Sequence, residues 1–248
     1  MNRIGPSITA VLLTIVPLGV AQAVPSAIHD YSLKGTFADS QGGPSLTQFA
    51  GGTLSSTGFT FPTNQGLSLV GAINTAGPYS IEVVFSFDQI TGYRRILDFK
   101  NRTSDSGLYS FNGNLNFYPA VNAATTTVAA NTPVNVLLTR SAAGAVNGYV
   151  NTALSFSFAD TTGLGTTLTN QLLFFTDDLV VPNEASSGLA DRIRIFDQVL
   201  SQQDAIDLAA GALPPVVTPP GPVRVPEPAT IALLAVGLAG LGVRRRAA

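Results

Sequence analysis

The chain has 248 residues with 24 glycines, 16 prolines and 11% charged residues, which fits a turn-rich β protein of one sandwich domain or two small domains. It has no cysteine and one histidine, His29, which excludes disulfides, thiolate catalysis, cysteine–zinc sites and multi-histidine metal sites. The net charge of −2 and the scarcity of lysine argue against nucleic acid as a partner.

The N-terminal segment, residues 1–23, has the features of a secretory signal peptide. Arg3 forms a short basic region, residues 8–20 are mostly apolar, and Ala21-Gln22-Ala23 has the small-x-small pattern of a cleavage site. The alternative is a membrane anchor, but the apolar run is short and is broken by Pro17. We therefore expect a signal helix that signal peptidase removes after Ala23.

From Ile28 onward the chain is a series of short β-like runs between turn residues. The cleanest alternation runs from residue 79 to 87, where the apolar positions of one face are Tyr79, Ile81, Val83, Phe85 and Phe87. Asn112-Gly113 is the strongest hairpin signal, because both residues tolerate positive φ. Roughly a dozen runs at this spacing favour an all-β sandwich over a βαβ fold.

Residues 188–208 combine a strand with a short helix. Period-two alternation assigns one strand face, taken as the core face, to Leu189, Ile193 and Ile195. It assigns the opposite face to Ala190, Arg192, Arg194 and Phe196. Ser201 is predicted to cap the helix, which Gly211 and Pro214 end.

Asp191 falls on the same parity as the core-facing isoleucines of this strand. An inward carboxylate needs hydrogen-bond donors. We expect Asp191 to have a structural role, accepting backbone N–H bonds that hold the loop at residues 176–187. The substitution Asp191→Ala is therefore predicted to destabilise the domain.

The same stretch resembles the closing signature of laminin-G-like domains of the concanavalin A-like superfamily. That signature has a glycine and an aspartate, then aliphatic-Arg-aliphatic-aromatic, then Leu-Ser before a helix. The matching residues here are Gly188, Asp191, Ile193-Arg194-Ile195-Phe196 and Leu200-Ser201. Weaker matches lie at residues 61–69 and 139–151. The resemblance implies a jelly-roll β-sandwich over residues 24–212, closed by one short C-terminal helix.

The C-terminal region changes composition twice. Residues 213–224 are rich in proline and valine, as in a stiff spacer. Pro226-Glu227-Pro228 then precedes an apolar stretch at 229–243, and Arg244, Arg245 and Arg246 follow it. The apolar stretch is short for a permanent span, and the arginines should stay on the cytoplasmic side.

This order of features resembles the PEP-CTERM sorting signal of exosortase-carrying Gram-negative bacteria. The resemblance implies a sorting signal at residues 225–248 with a transmembrane helix at 229–243, and an exosortase as partner. It also implies a transient inner-membrane intermediate and delivery to the cell surface or extracellular matrix, in a mature form that lacks the residues after the Pro-Glu-Pro motif. The alternative is an ordinary C-terminal anchor.

Catalytic residues are not evident. The β-glucanases of the concanavalin A-like superfamily carry Glu-x-Asp-x-x-Glu on one strand, and glycoside hydrolysis usually needs two flanking carboxylates. The chain has three glutamates, Glu82, Glu184 and Glu227, and no second acid stands two or five residues after Glu82. His29, close to the cleavage site, is poorly placed as a base. We therefore predict a protein that is not an enzyme.

Two sets of residues are candidates for binding. Hard cations take several oxygens from such loops, so a calcium site is predicted from Asp177, Asp178, Asn183 and Glu184; the alternative is solvated loop acids. A sugar-binding face would use strand residues, and the candidates are Tyr93, Arg94, Tyr109, Asn116 and Tyr118. The absence of tryptophan weakens this platform, and each candidate could simply be a partly buried strand residue.

The sequence thus predicts an exported, non-catalytic binding or structural protein, with an extracellular polysaccharide as the expected partner. The alternatives are a glycan-active enzyme on the same fold and a purely structural matrix component. Because a fold does not determine function, the binding hypothesis depends on the resemblance.

Overall fold

The computed structural model describes residues 24–71, 73–167 and 169–210. Over these residues the chain forms two antiparallel sheets and one short helix, which confirms the all-β sandwich. No helix among the described residues is long and apolar enough to cross a membrane. The predicted signal peptide, the proline-rich linker and the sorting signal lie outside the described residues.

Strands make up nearly all of the regular structure, and the helix follows the last of them. The strands are β1 (His29–Tyr31), β2 (Thr47–Gln48), β3 (Thr53–Ser55), β4 (Gly58–Phe61), β5 (Leu67–Val70), β6 (Tyr79–Phe87), β7 (Tyr93–Asp98), β8 (Gly107–Phe111), β9 (Asn114–Tyr118), β10 (Val121–Thr127), β11 (Val134–Arg140), β12 (Ala145–Val150), β13 (Ala153–Ala159), β14 (Gln171–Phe174) and β15 (Gly188–Phe196). The helix is α1 (Gln202–Ala209).

The strands divide between two sheets. The first sheet has the order β13-β12-β11-β6-β15-β4-β3, with β1 paired to β15. The second sheet has the order β10-β9-β8-β7-β14-β5-β2. The predicted hairpin is present: Asn112 and Gly113 both have positive φ, and they join β8 to β9.

The core lies between the two sheets, where their apolar faces meet. The predicted inner face of β6 is confirmed, since its five alternating apolar residues are all 1% exposed or less. The opposite sheet contributes the buried aromatic residues Phe117 and Phe174, and buried Phe99 directly follows β7. Phe61 and Phe175 stack across this core with ring centroids 4.3 Å apart.

The outer face of the first sheet is partly covered by α1. Ser201 caps the helix as predicted: its side chain accepts a hydrogen bond from the Asp204 backbone, and the Asp204 side chain accepts one from the Ser201 backbone. Ala205 and Leu208 of the helix pack on an apolar patch that includes Leu137, Tyr149 and Phe196. The predicted helix therefore closes the domain.

The prediction for Asp191 is wrong. The pairing of β15 with β6 shifts between Ala190 and Arg192, so that Asp191 is an extra residue with no partner on β6. Such a β-bulge reverses the parity of the residues before it. As a result Ala190 joins Ile193 and Ile195 in the core, and the Asp191 side chain is 40% exposed with Lys34 Nζ at 3.5 Å.

Next to the helix, the outer face of the first sheet carries a buried ion pair between Glu82 of β6 and Arg194 of β15. Arg194 Nη2 donates to Glu82 Oε1 at 2.8 Å, and Arg194 Nε contacts the other carboxylate oxygen. Asn135 Nδ2 on β11 also donates to Oε1, at 2.7 Å. The carboxylate of Glu82 is therefore fully engaged in structural contacts.

The ion pair and the bulge residue should differ sharply in a stability measurement. Replacing one member of a buried pair leaves an uncompensated charge and costs about 3–5 kcal/mol, which is expected for Glu82→Ala. The exposed pair of Asp191 with Lys34 should contribute less than about 1 kcal/mol to the free energy of unfolding, so Asp191→Ala should change stability very little. Urea unfolding of the two variants beside the parent protein checks this, and equal losses would contradict it.

Candidate functional site

The outer face of the second sheet carries a buried arginine, Arg95, at the centre of a polar cluster. Arg95 lies opposite Tyr109 in the β7–β8 pairing. The register of this pairing shifts between Arg95 and Leu97, and both Ile96 and Leu97 lie in the core. The Arg95 side chain is 0% exposed, and its guanidinium carbon lies 4.3 Å from the centre of the Tyr109 ring. A charge buried this completely must be compensated by nearby opposite charges.

Four aspartates provide that compensation. Arg95 Nη1 donates to Asp98 at 3.0 Å, and Nη2 contacts Asp178. Asp105 and Asp177 lie slightly farther away, at 3.7 Å and 3.9 Å. These residues come from β7, from the loop after it and from the loop before β15, so Arg95 links its own strand and the next loop to a loop about 80 residues later in the sequence.

Asp177 and Asp178 shape the loop at residues 176–187. Asp178 Oδ1 accepts hydrogen bonds from the backbone N–H groups of Val180 at 2.5 Å and Val181 at 2.7 Å. Asp177 Oδ2 accepts one from the Glu184 backbone at 2.8 Å. The role that the sequence assigned to Asp191, holding this loop through backbone amides, therefore belongs to Asp177 and Asp178.

Arg94 secures the far side of the same loop. Its Nη1 donates to the carbonyl oxygens of Asn183 at 3.0 Å and Ala185 at 3.3 Å. Asn183 has a positive φ of 76° and is exposed. The loop is thus held on one side by its own Asp177 and Asp178 and on the other side by Arg94 of β7.

A cavity of about 220 Å³ opens beside this cluster, and we call it the tyrosine cavity. It is lined by Tyr93, Asp105, Tyr118, Val181 and Glu184. Tyr93 and Tyr118 meet edge to face with ring centroids 5.7 Å apart. Phe111 stacks behind Tyr93 at 4.2 Å, so the wall of the cavity is held by aromatic packing.

The two carboxylates of the tyrosine cavity compete for protons. Burial, together with repulsion from Asp105 and Asp177, raises the pKa of Glu184 to about 7. Burial and repulsion from Asp178 likewise raise the pKa of Asp105. Oxygens of Asp105, Asp178 and Glu184 all lie within 4.8 Å of one another. Glu184 Oε2 is shielded from solvent and has no hydrogen-bond donor among the described residues.

The structure brings some of the predicted site residues together and separates others. Of the predicted calcium ligands, Asp177, Asp178 and Glu184 come together, whereas Asn183 contributes a carbonyl oxygen to Arg94. Of the predicted sugar contacts, Tyr93 and Tyr118 line the cavity, and Arg94 secures its loop.

The other two predicted sugar contacts lie behind the cavity. The Tyr109 hydroxyl is hydrogen-bonded to Asp105, at 3.0 Å from its carboxylate. Asn116 is 4% exposed on β9 opposite Tyr109, and its Oδ1 has no partner among the described residues.

Sequence reasoning missed Arg95, Asp98 and Asp105. Arg95 stands directly after Arg94 in a strand with no regular alternation, so nothing in the sequence marked it as buried. Asp105 lies in a serine-rich turn, a context typical of solvated loops. Only the tertiary fold brings these residues next to Asp178 and Glu184.

The raised pKa of Glu184 has a consequence for stability. A carboxyl whose pKa is higher in the folded than in the unfolded state binds more protons when folded, so stability falls as pH rises from about 4.5 to about 7. We expect Glu184→Gln to remove this fall, because glutamine does not bind a proton. After allowance for solvent screening, the change in stability from pH 5 to pH 8 should be about 1 kcal/mol more favourable in the variant than in the parent protein. Thermal melts of both proteins at the two pH values check this; an identical pH dependence would contradict it.

Comparisons with known proteins place these features in context. Residues 224–246 match the model of the PEP-CTERM protein-sorting motif. No curated protein matches the sequence. Domain 4 of AbnA, a GH43 extracellular arabinanase from Geobacillus stearothermophilus solved with arabinotriose, has a TM-score of 0.57 at 17% identity, over 74% of this chain and 98% of that chain.

Two further solved structures are similar. A Trypanosoma rangeli sialidase in complex with 2,3-difluorosialic acid has a TM-score of 0.62 at 14% identity, over 79% of this chain and 35% of that chain. The binding domain of botulinum neurotoxin serotype D has a TM-score of 0.57 at 15% identity, over 75% of this chain and 52% of that chain. This chain therefore matches only part of the length of both.

At these identities the structural likeness concerns the fold alone, the sandwich of two antiparallel sheets. The motif match confirms the resemblance seen at the C-terminus. The chain carries a PEP-CTERM protein-sorting motif, which marks proteins that are exported and processed at the membrane for the cell surface or extracellular release.

Proposed function

We propose that this chain is a non-catalytic carbohydrate-binding protein of the cell surface or extracellular matrix, released there by an exosortase, and that the tyrosine cavity is its sugar site. The observation that carries the proposal is the pairing, in one cavity, of two tyrosine rings with two carboxylates. At about 220 Å³ the cavity is smaller than the pockets that hold drug-sized ligands, which restricts its occupant to a single sugar ring or the end of a polysaccharide chain.

The chemistry of the cavity suits a sugar. Sugar rings present apolar C–H faces, which pack on aromatic rings, and hydroxyl groups, which donate to carboxylates. Tyr93 and Tyr118 offer the aromatic surface, and Val181 adds an apolar contact from the loop. Glu184 and Asp105 offer acceptors with spare capacity. The arabinanase domain solved with arabinotriose supports a sugar ligand on a fold of this kind.

The carboxylates also support a non-catalytic role. Oxygens of Glu184 and Asp105 lie within 4.8 Å of each other, so the two carboxyl groups stand side by side. Glycoside hydrolysis usually needs two carboxyl groups that flank the scissile bond, about 5–9.5 Å apart. Glu82 is engaged by Arg194 and Asn135 on the other sheet.

A glycan-active enzyme is the second candidate, and one observation favours it. A carboxyl group with a pKa of about 7, as in Glu184, has the property of a general acid at neutral pH. A sialidase is also among the solved structures of similar fold. Incubating bound oligosaccharides with the protein and following cleavage products separates the two candidates.

Calcium remains a prediction. Asp105, Asp178 and Glu184 could each offer one oxygen, and carboxylates are ligands that calcium prefers. Arg95 contacts Asp178 and lies 3.7 Å from Asp105, so its positive charge opposes a second cation at this position. We therefore propose that any calcium binds weakly and that sugar binding does not require it.

A glycan array with the mature exported protein, run with calcium and with a chelator, tests the sugar site. Replacing Tyr93 or Tyr118 with leucine keeps apolar bulk but removes the aromatic face, and we expect affinity for the bound glycan to fall about tenfold, the upper end for one aromatic contact. Val199→Ala, an exposed change outside the cavity, is the matched control. If no glycan binds the parent protein, or if the tyrosine variants bind as well as the control, the proposal fails.

A further inference from the structure

We propose that the tyrosine cavity recognises a free, protonated amino group, so that the ligand is a polysaccharide containing non-acetylated amino sugars. This inference rests on the proposed sugar site and specifies which class of sugar it takes. It is carried by the charge around the cavity, by the unpaired acceptor of a lining residue and by the aromatic wall.

The charge around the cavity is negative in excess. Five carboxylates gather here, those of Asp98, Asp105, Asp177, Asp178 and Glu184. Three arginines lie among these carboxylates. Arg95 forms ion pairs with them. In their contacts to the loop, Arg94 and Arg102 donate to backbone carbonyl oxygens. An excess of negative charge at a partly buried site favours a cationic ligand over a neutral one.

The unpaired acceptor belongs to Glu184, a residue that lines the cavity. Glu184 Oε2 is shielded from solvent without a donor among the described residues, and its neighbour is the Asp105 carboxylate, which repels it. An ammonium group has three donors and a positive charge, so it can bridge both carboxylates at once. A sugar hydroxyl has one donor and no charge, and it would leave the repulsion between the two carboxylates in place.

The aromatic wall suits the same group. A cation near the face of a tyrosine is attracted by the ring quadrupole, and the attraction grows when the site is shielded from water. Tyr93 is held in position by Phe111 and Tyr118, with centroid distances of 4.2 Å and 5.7 Å. Aromatic rings beside carboxylates form the usual surroundings of a bound ammonium group.

Other ligand classes fit less well. An acidic sugar would bring its carboxylate against Asp105 and Glu184, with Arg95 already engaged by Asp98 and Asp178. A divalent metal ion bridging Asp105 and Asp178 would lie beside the Arg95 guanidinium, which occupies the space between those two residues. An amino group held between Glu184 and Asp105 at the tyrosine wall brings no carboxylate to the site, and its single positive charge is opposed less by Arg95 than the double charge of a metal ion.

The cavity also makes the binding of an amine dependent on protons. Because repulsion from Asp105 contributes to the raised pKa of Glu184, about 7, an ammonium group placed between the two carboxylates should lower that pKa. At pH 6 to 7 the protein should therefore release a proton when such a sugar binds. A neutral sugar should release none.

The test compares glucosamine oligosaccharides with N-acetylglucosamine oligosaccharides of the same length, by calorimetry on the mature exported protein at pH 6.5 in chelator. We expect the free-amine form to bind at least tenfold more tightly, with proton release seen as a dependence of the heat on buffer. Glu184→Gln and Asp105→Asn should each lower this preference at least fivefold. Asp191→Asn, a change at an exposed carboxylate outside the cavity, should preserve it.

The outcomes separate the two proposals. Equal binding of both forms, or an unchanged preference in Glu184→Gln and Asp105→Asn, overturns the amino-sugar inference and leaves the sugar site standing. The inference is also overturned if the preference for the free-amine form persists in Glu184→Gln and Asp105→Asn but is lost in Asp191→Asn, because the amine would then bind outside the cavity. A glycan array on which the protein binds nothing removes the proposed function and this inference together.

Discussion

The burial of Arg95 among carboxylates is the interaction on which the rest of the site depends. Arg95 cannot stay charged away from water without Asp98 and Asp178, and those aspartates could not be buried without Arg95. Because Asp178 also accepts two backbone hydrogen bonds from its own loop, the arginine fixes the loop as well as the charge. The tyrosine cavity exists where that loop meets β7 and β9.

The outer faces of the two sheets differ in how completely their buried charges are paired. On the first sheet, Glu82 is matched by Arg194 and Asn135, and α1 packs beside the pair. The buried charges of that pair satisfy each other, so the pair itself has a structural role. On the second sheet the carboxylates outnumber the arginines that pair with them, and Glu184 keeps an oxygen with no donor among the described residues. That imbalance is why we place ligand binding on the second sheet.

Much of the fold could be predicted from the sequence because it depends on local patterns. The alternation in β6, the Asn112-Gly113 hairpin and the Ser201 cap each follow from neighbouring residues. The orientation of Asp191 could not be predicted, since one extra residue in β15 reverses the parity and no local pattern marks a bulge. The site was predicted in part: tyrosines and loop acids were visible, but Arg95 and Asp105 join them only through long-range packing.

Amide hydrogen exchange in the 176–187 loop tests most directly whether Arg95 holds the site together. In the parent protein, the amides of Val180, Val181 and Glu184 donate to Asp178 and Asp177 and should exchange slowly. In Arg95→Met we predict that their protection falls at least about tenfold at pH 7.5, the value of one hydrogen bond to a charged group. Protection equal to that of the parent protein would contradict the central role of Arg95.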